Sequence, residues 1–114
     1  MEYTYNIIND VYDWMISGKK NIEVRILKEK SEAIQIGDYI IFNNQDSEGK
    51  YVKVKVINKT IFASLDQLLD SYDINRMMPG YSREDFINLM NKIYGNELVD
   101  KKIVAFEFEY LTSK

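Results

Sequence analysis

A chain of 114 residues, 46% hydrophobic and 29% charged, has the size and balance of one packed domain and not of two cores or a disordered segment. A net charge of −3 and a pI near 5.0 speak against tight, non-specific duplex binding, so any nucleic-acid site must be a local basic patch on an acidic body. With no cysteine and no histidine, disulfides, thiolate metal sites and Ser–His or Cys–His catalysis are excluded.

The opening residues Met1 to Tyr5 lack a basic stretch followed by an apolar one, which argues against a signal peptide. No apolar run approaches the ~20 residues of a membrane span, and the expected location is cytoplasmic. The first predicted helix starts at Asn9 or Asp10, either of which has a capping side chain, and runs through Trp14 to Ser17. Gly18 stands where a left-handed residue ends a helix. Val11, Trp14, Met15 and Ser17 share a face, which reads as a core stripe.

From Asn21 to Ile26 the period changes to two, with Ile22, Val24 and Ile26 on one side and Asn21, Glu23 and Arg25 on the other. A polar stretch from Lys28 to Glu32 leads to Gly37-Asp38, a turn that feeds the apolar strand Tyr39 to Phe42. Asn43 to Lys50 is a polar, hairpin-like connection, in which Asp46 reads as solvated. It leads into the strand Tyr51 to Ile57, with valines alternating with Lys53 and Lys55.

Ser64 opens a short helix, and Asp73 to Tyr81 reads as a loop, either a lid or a plain connector. Ser82, with Asp85 three residues on, starts a helix that Gly95 ends. The last strand covers about Lys102 to Leu111. Several strands joined by short turns, with helices around them, predict an α+β fold built on a small, curved, mixed or antiparallel β-barrel.

Chemistry concentrates between Gly18 and Arg25. Gly18-Lys19-Lys20 fails as a phosphate loop, because residue 13 is Asp where glycine is needed and neither Lys20 nor Asn21 supplies the hydroxyl that follows the lysine. The acidic residues show no calcium-loop spacing, so no metal site is expected. The predicted strand instead aligns an amide, a carboxylate and a guanidinium at two-residue steps in Asn21, Glu23 and Arg25. Arg25 suits bidentate capture of a phosphate or base edge, and Lys20 serves as a point charge or, if desolvated, a base. The plainer alternative is a polar strand face on which Glu23 and Arg25 pair. Tyr39 and Tyr51 read as barrel filling in preference to base-stacking platforms.

The run Gly18-Lys19-Lys20-Asn21-Ile22-Glu23-Val24-Arg25, followed by Gly37-Asp38-Tyr39-Ile40-Ile41-Phe42, resembles the G-x-K-x-x-E-x-R and G-D-x-I-x-F elements of the ASCH domain family. Met78-Pro79-Gly80 and Ile93-Tyr94-Gly95 are similar to its bacterial members, so the resemblance spans nearly the whole chain and implies one domain over residues 1–114. It implies a fold similar to PUA domains, with a cleft beside the signature that binds single-stranded RNA or a nucleotide. The implied cleft residues are Lys20, Glu23 and Arg25, with Asn21 beside them; Gly18, Gly37 and Asp38 are structural turns. No cofactor is implied.

One branch resembles amidohydrolases acting on N4-acetylcytidine, with G-x-K-T-x-T-x-R. Here Asn21 and Glu23 stand where both threonines would be, so the hydroxyl of that mechanism is missing. An enzyme would have to use Lys20 and Glu23 as acid and base. A third alternative, a protein-interaction module, rests on a eukaryotic relative found in a transcriptional coactivator.

Overall fold

The computed structural model describes residues 1–114. The elements in order are β1 (Glu2–Ile7), α1 (Asn9–Ile16), β2 (Ile22–Ile26), α2 (Glu29–Ala33), β3 (Tyr39–Asn44), β4 (Tyr51–Phe62), α3 (Leu65–Ser71), a 3₁₀ turn (Ile74–Arg76), α4 (Arg83–Tyr94), α5 (Glu97–Asp100) and β5 (Ile103–Ser113). The strands form a curled half-barrel in the order β1-β3-β4-β5-β2. All neighbours are antiparallel except β1 and β3, which run parallel from Glu2 opposite Tyr39 to Ile7 opposite Asn44. Two register shifts along β4, at Lys53/Val54 and Val56/Asn58, are bulges of the kind that bend a sheet and increase its twist.

Strand β5 supplies core to both faces of the sheet. Val104, Phe106 and Phe108 join Ile40, Phe42, Val52, Val54 and Val56 on one face, closed by Tyr12 and Met15 of α1. Ile103 and Ala105 join Ile22, Leu68, Met77, Phe86 and Met90 on the other. Each side chain of this type contributes roughly 1.5–3 kcal/mol when removed from water, so β5 ties the two packed layers into one sheet.

Several local details differ from the sequence reading: the polar stretch after Lys28 holds helix α2, and α5 was not anticipated. Strand β1 was not anticipated, although Tyr3, Tyr5 and Ile7 alternate with polar residues. Neither Asn9 nor Asp10 caps α1; the Asp46 carboxylate, from the turn taken as solvated, accepts the Asn9 N–H at 2.8 Å. Strand β4 extends five residues beyond Ile57. Gly18 has φ +80° after the C-cap Ser17, as a left-handed residue between helix and strand requires. Ser82 and Asp85 cap α4 reciprocally. No helix is long and apolar enough to cross a membrane.

Candidate functional site

Strands β1 and β2 are the two edges of the sheet, and the half-barrel leaves a gap between them. A cavity of about 550 Å³ occupies this gap, bordered by the end of β1, by Val11 and Trp14 of α1, by β2, by Met78 and Tyr81, and by α4. Its volume falls in the range of small-molecule sites.

Glu23 and Arg25 lie opposite Phe106 and Val104 on β5, so their side chains emerge on the face where the first apolar core ends. Both Nε and Nη2 of Arg25 donate to Glu23 Oε2, at 3.0 and 2.7 Å. The other carboxylate oxygen lies 3.1 Å from Lys20 Nζ. The same ammonium donates to the Ile22 carbonyl at 2.8 Å and the Met77 carbonyl at 2.7 Å. Three acceptors therefore surround a group with three N–H bonds, and the arrangement selects the charged ammonium. Lys20 fixes Glu23, and Glu23 fixes Arg25. The guanidinium lies over the Tyr5 ring, 4.0 Å from its centroid, so Arg25 also bridges the two sheet edges. Its Nη1 makes no hydrogen bond within the protein and is the uncommitted end of the chain of contacts.

The electrostatics follow from burial. Lys20 and Glu23 are 4% and 6% exposed. Burial lowers the Lys20 ammonium from its ordinary value, with the Glu23 charge opposing. Burial works to raise the Glu23 carboxyl, but Lys20 and Arg25 together overcome it and hold the group below the ordinary carboxylate range. The trio thus carries one net positive charge at neutral pH inside an acidic protein. Burial pushes the Tyr5 phenol up to about 12 and raises Tyr94 as well, so both hydroxyls keep their protons.

The edge of β2 adds backbone groups. The Asn21 carbonyl accepts from Phe108 N–H, and Leu27 N–H donates to the Lys102 carbonyl, so the odd residues bond to β5 and the even ones face the gap. The Ile22 carbonyl is taken by Lys20 and the Ile26 carbonyl by the Ser31 hydroxyl. Between them Val24 presents its N–H and C=O along the cavity wall.

Lys20, Glu23 and Arg25 thus come together, whereas Asn21 does not join them. Its amide oxygen accepts from Arg76 Nε at 2.9 Å, and it is absent from the cavity wall. Gly37, with φ +95°, and Asp38, whose carboxylate accepts the Gln35 N–H, form the turn before β3. That turn lies at the opposite end of β3 from the cavity, which Gln45 borders. Lys53 is paired with Glu2 at 2.8 Å, and Tyr39 lies beneath its ammonium. Tyr39 and Tyr51 are half-buried on the sheet and do not fill the barrel.

The sequence reading missed several wall residues. Trp14 was assigned to the core, but it is half-buried beside the cavity, edge-on to Tyr81 at 6.4 Å between ring centroids. Leu89, Ile93 and Tyr94 of α4 line the same space. The segment from Met77 to Tyr81 is wall and not exposed loop, since Met77 is fully buried and its carbonyl binds Lys20. The available signal was the breadth of the α4 apolar stripe of Phe86, Ile87, Leu89, Met90, Ile93 and Tyr94, wider than one core layer needs. No cluster of three acidic side chains is arranged to hold a metal ion.

The sequence profile of the ASCH domain family matches residues 7–108, and the chain belongs to that family. The structure is similar to that of hypothetical protein PH0355, with TM-score 0.84 and 28% identity over 97% of this chain and 100% of the other. It is similar to protein PF0455 from Pyrococcus furiosus, with TM-score 0.77 and 26% identity over 97% and 98% of the two chains. The ASCH protein of Zymomonas mobilis, solved as its S128A mutant, shares the fold at TM-score 0.72 and 12% identity, over 99% of this chain and 72% of that one. Among curated proteins there is no significant match.

Proposed function

We propose that the chain is an RNA- or nucleotide-binding module whose cavity receives one unstacked base. The observation that carries this reading is Arg25, a guanidinium held by Glu23 and Tyr5 with its Nη1 uncommitted beside a cavity walled by aromatic rings. Bases that have left a helix are recognised by aromatic stacking and by hydrogen bonds to their edges. Trp14 and Tyr81 supply aromatic surface. Val24 supplies one donor and one acceptor in line, which suits the edge of a base. Arg25 adds a planar donor for a carbonyl or phosphate oxygen. Family membership supports a nucleotide-related role in the same direction.

Hydrolysis by Lys20 and Glu23 is less well supported. A general base needs a free lone pair, and all three N–H bonds of Lys20 have acceptors around them. Both oxygens of Glu23 are likewise engaged by cations. Amide NMR spectra recorded while nucleosides, nucleotides, N4-acetylcytidine and a short single-stranded RNA are added test the two readings together. The binding reading expects shifts at Val24, Arg25 and the Trp14 indole, with ligand signals unchanged in identity over time. New product signals would instead favour the enzyme. An unperturbed cavity at millimolar ligand would overturn both readings.

A further inference from the structure

A second, smaller cavity of about 230 Å³ adjoins the first, and Arg25 and Tyr94 line both. Its other walls are Tyr5, Ile26, Lys28, Lys30 and Ser31. It is below the size of ordinary organic-ligand sites and large compared with the roughly 30 Å³ share of one water. Its lining is cationic, with three basic side chains around a space bordered by no acidic one.

The commitments of these cations differ. Lys28 is paired with Glu97 at 2.8 Å and Arg25 with Glu23 at 2.7 Å. Lys30 has no carboxylate partner. It donates to the Thr4 carbonyl at 2.7 Å and lies 4.5 Å from the centroid of the same Tyr5 ring that Arg25 covers. Two cations therefore share one aromatic ring, an arrangement that an anion beside them would stabilise. The hydroxyls of Tyr5 and Tyr94 make no hydrogen bond within the protein, and burial keeps both protonated. The Ser31 hydroxyl is already engaged with Ile26 and Lys28.

We infer that this cavity is a phosphate subsite, so that the ligand of the adjoining cavity is a phosphorylated nucleotide and not a free nucleoside. The inference rests on the base-binding reading above and adds to it the group attached to the base's sugar. Lys30, Arg25 Nη1 and the two phenol hydroxyls supply the donors. Arg25 stands at the junction, where it meets base and phosphate together. A free mononucleotide and a strand carrying the same phosphate present identical chemistry here.

The test compares nucleosides with their 5′-monophosphates by calorimetry, and a short oligoribonucleotide with and without a 5′-phosphate. The monophosphate is expected to bind about tenfold more tightly than the nucleoside, with the advantage shrinking as salt is added. In Lys28→Ala/Lys30→Ala that ratio is expected to fall below about threefold, while Lys30→Arg retains it; amide spectra confirm that each variant is folded. A preference already complete with the mononucleotide, or one that grows only with the strand, supports the subsite and identifies its source. Nucleoside binding with no gain from the phosphate in either the mononucleotide or the strand, or a gain that survives the double substitution, overturns the subsite and leaves the base-binding reading intact. Failure of every ligand to bind overturns both.

Discussion

Two arginine–glutamate clusters sit on opposite faces of the ribbon formed by β2 and β5, and the contrast between them separates scaffold from site. On one face Glu23 lies opposite Phe106; on the other Glu107 lies opposite Ile22. Both pair with an arginine, at 2.7 Å for Arg25 and 3.0 Å for Arg76, and a tyrosine ring accompanies each. Around Glu107 most polar groups are spent on one another. Asn58 and the Tyr72 hydroxyl donate to it, Arg76 divides its donors between Glu107 and Asn21, and Thr60 meets Tyr72. This network pins the 3₁₀ turn to the sheet and borders no cavity.

Around Glu23 the cluster is more deeply buried yet leaves more uncommitted. Its side chain is 8% exposed against 18% for Glu107. Nη1 is unbonded in both arginines, but only Arg25 borders a cavity, and the hydroxyls of Tyr5 and Tyr94, unlike that of Tyr72, have no protein partner. No buried side-chain nitrogen or oxygen lacks a partner, so these unbonded donors reach solvent and are open to a ligand.

The largest expected effect comes from breaking the buried cluster. Lys20→Met leaves the Ile22 and Met77 carbonyls without a donor and Glu23 with one cation, and should lower stability by about 3–5 kcal/mol in urea unfolding. Arg25→Ala should act chiefly on binding, weakening a nucleotide by roughly 10- to 100-fold, the scale of a lost charge-assisted hydrogen bond. Calorimetry checks this, and Arg25→Lys should rescue it poorly because an ammonium lacks the planar fork. Glu107→Gln is expected to cost about 1–2 kcal/mol of stability while ligand affinity stays unchanged, which is the opposite partition.

The smallest effect is in pH. Unfolded Glu23 takes up a proton near its ordinary value of 4.5, and the folded group does so only at lower pH. The stability it contributes is therefore present above about pH 4.5 and lost as the pH falls through the folded value. Urea midpoints measured from about pH 7 down to about pH 3 should fall less steeply in Glu23→Gln than in the parent.

Much of this comparison was legible in the sequence, because the signals involved are local. Period-two alternation put Glu23 and Arg25 on one strand face, Gly18 marked the helix-to-strand turn, and Ser82 with Asp85 marked the start of α4. What escaped depends on contacts distant along the chain. Strand β1 does carry a period-two pattern, in Tyr3, Tyr5 and Ile7, but its parallel partner β3 lies some 37 residues on and is not named by that pattern. Asn21 shares the strand period with Glu23 but is drawn to Arg76, 55 residues away. Trp14 and the α4 stripe have the spacing of core residues, and whether such a face meets more protein or a cavity is decided by how far the half-barrel closes.

The most direct test uses the lone tryptophan of the chain, which borders the cavity. Trp14 fluorescence should be quenched saturably by a nucleotide or short single-stranded RNA, and the quenching should be strongly weakened in Arg25→Ala but not in Glu107→Gln. No quenching at millimolar ligand, or equal quenching in Arg25→Ala, would contradict the assignment of Arg25 as the contact that the buried Lys20–Glu23 pair holds in place.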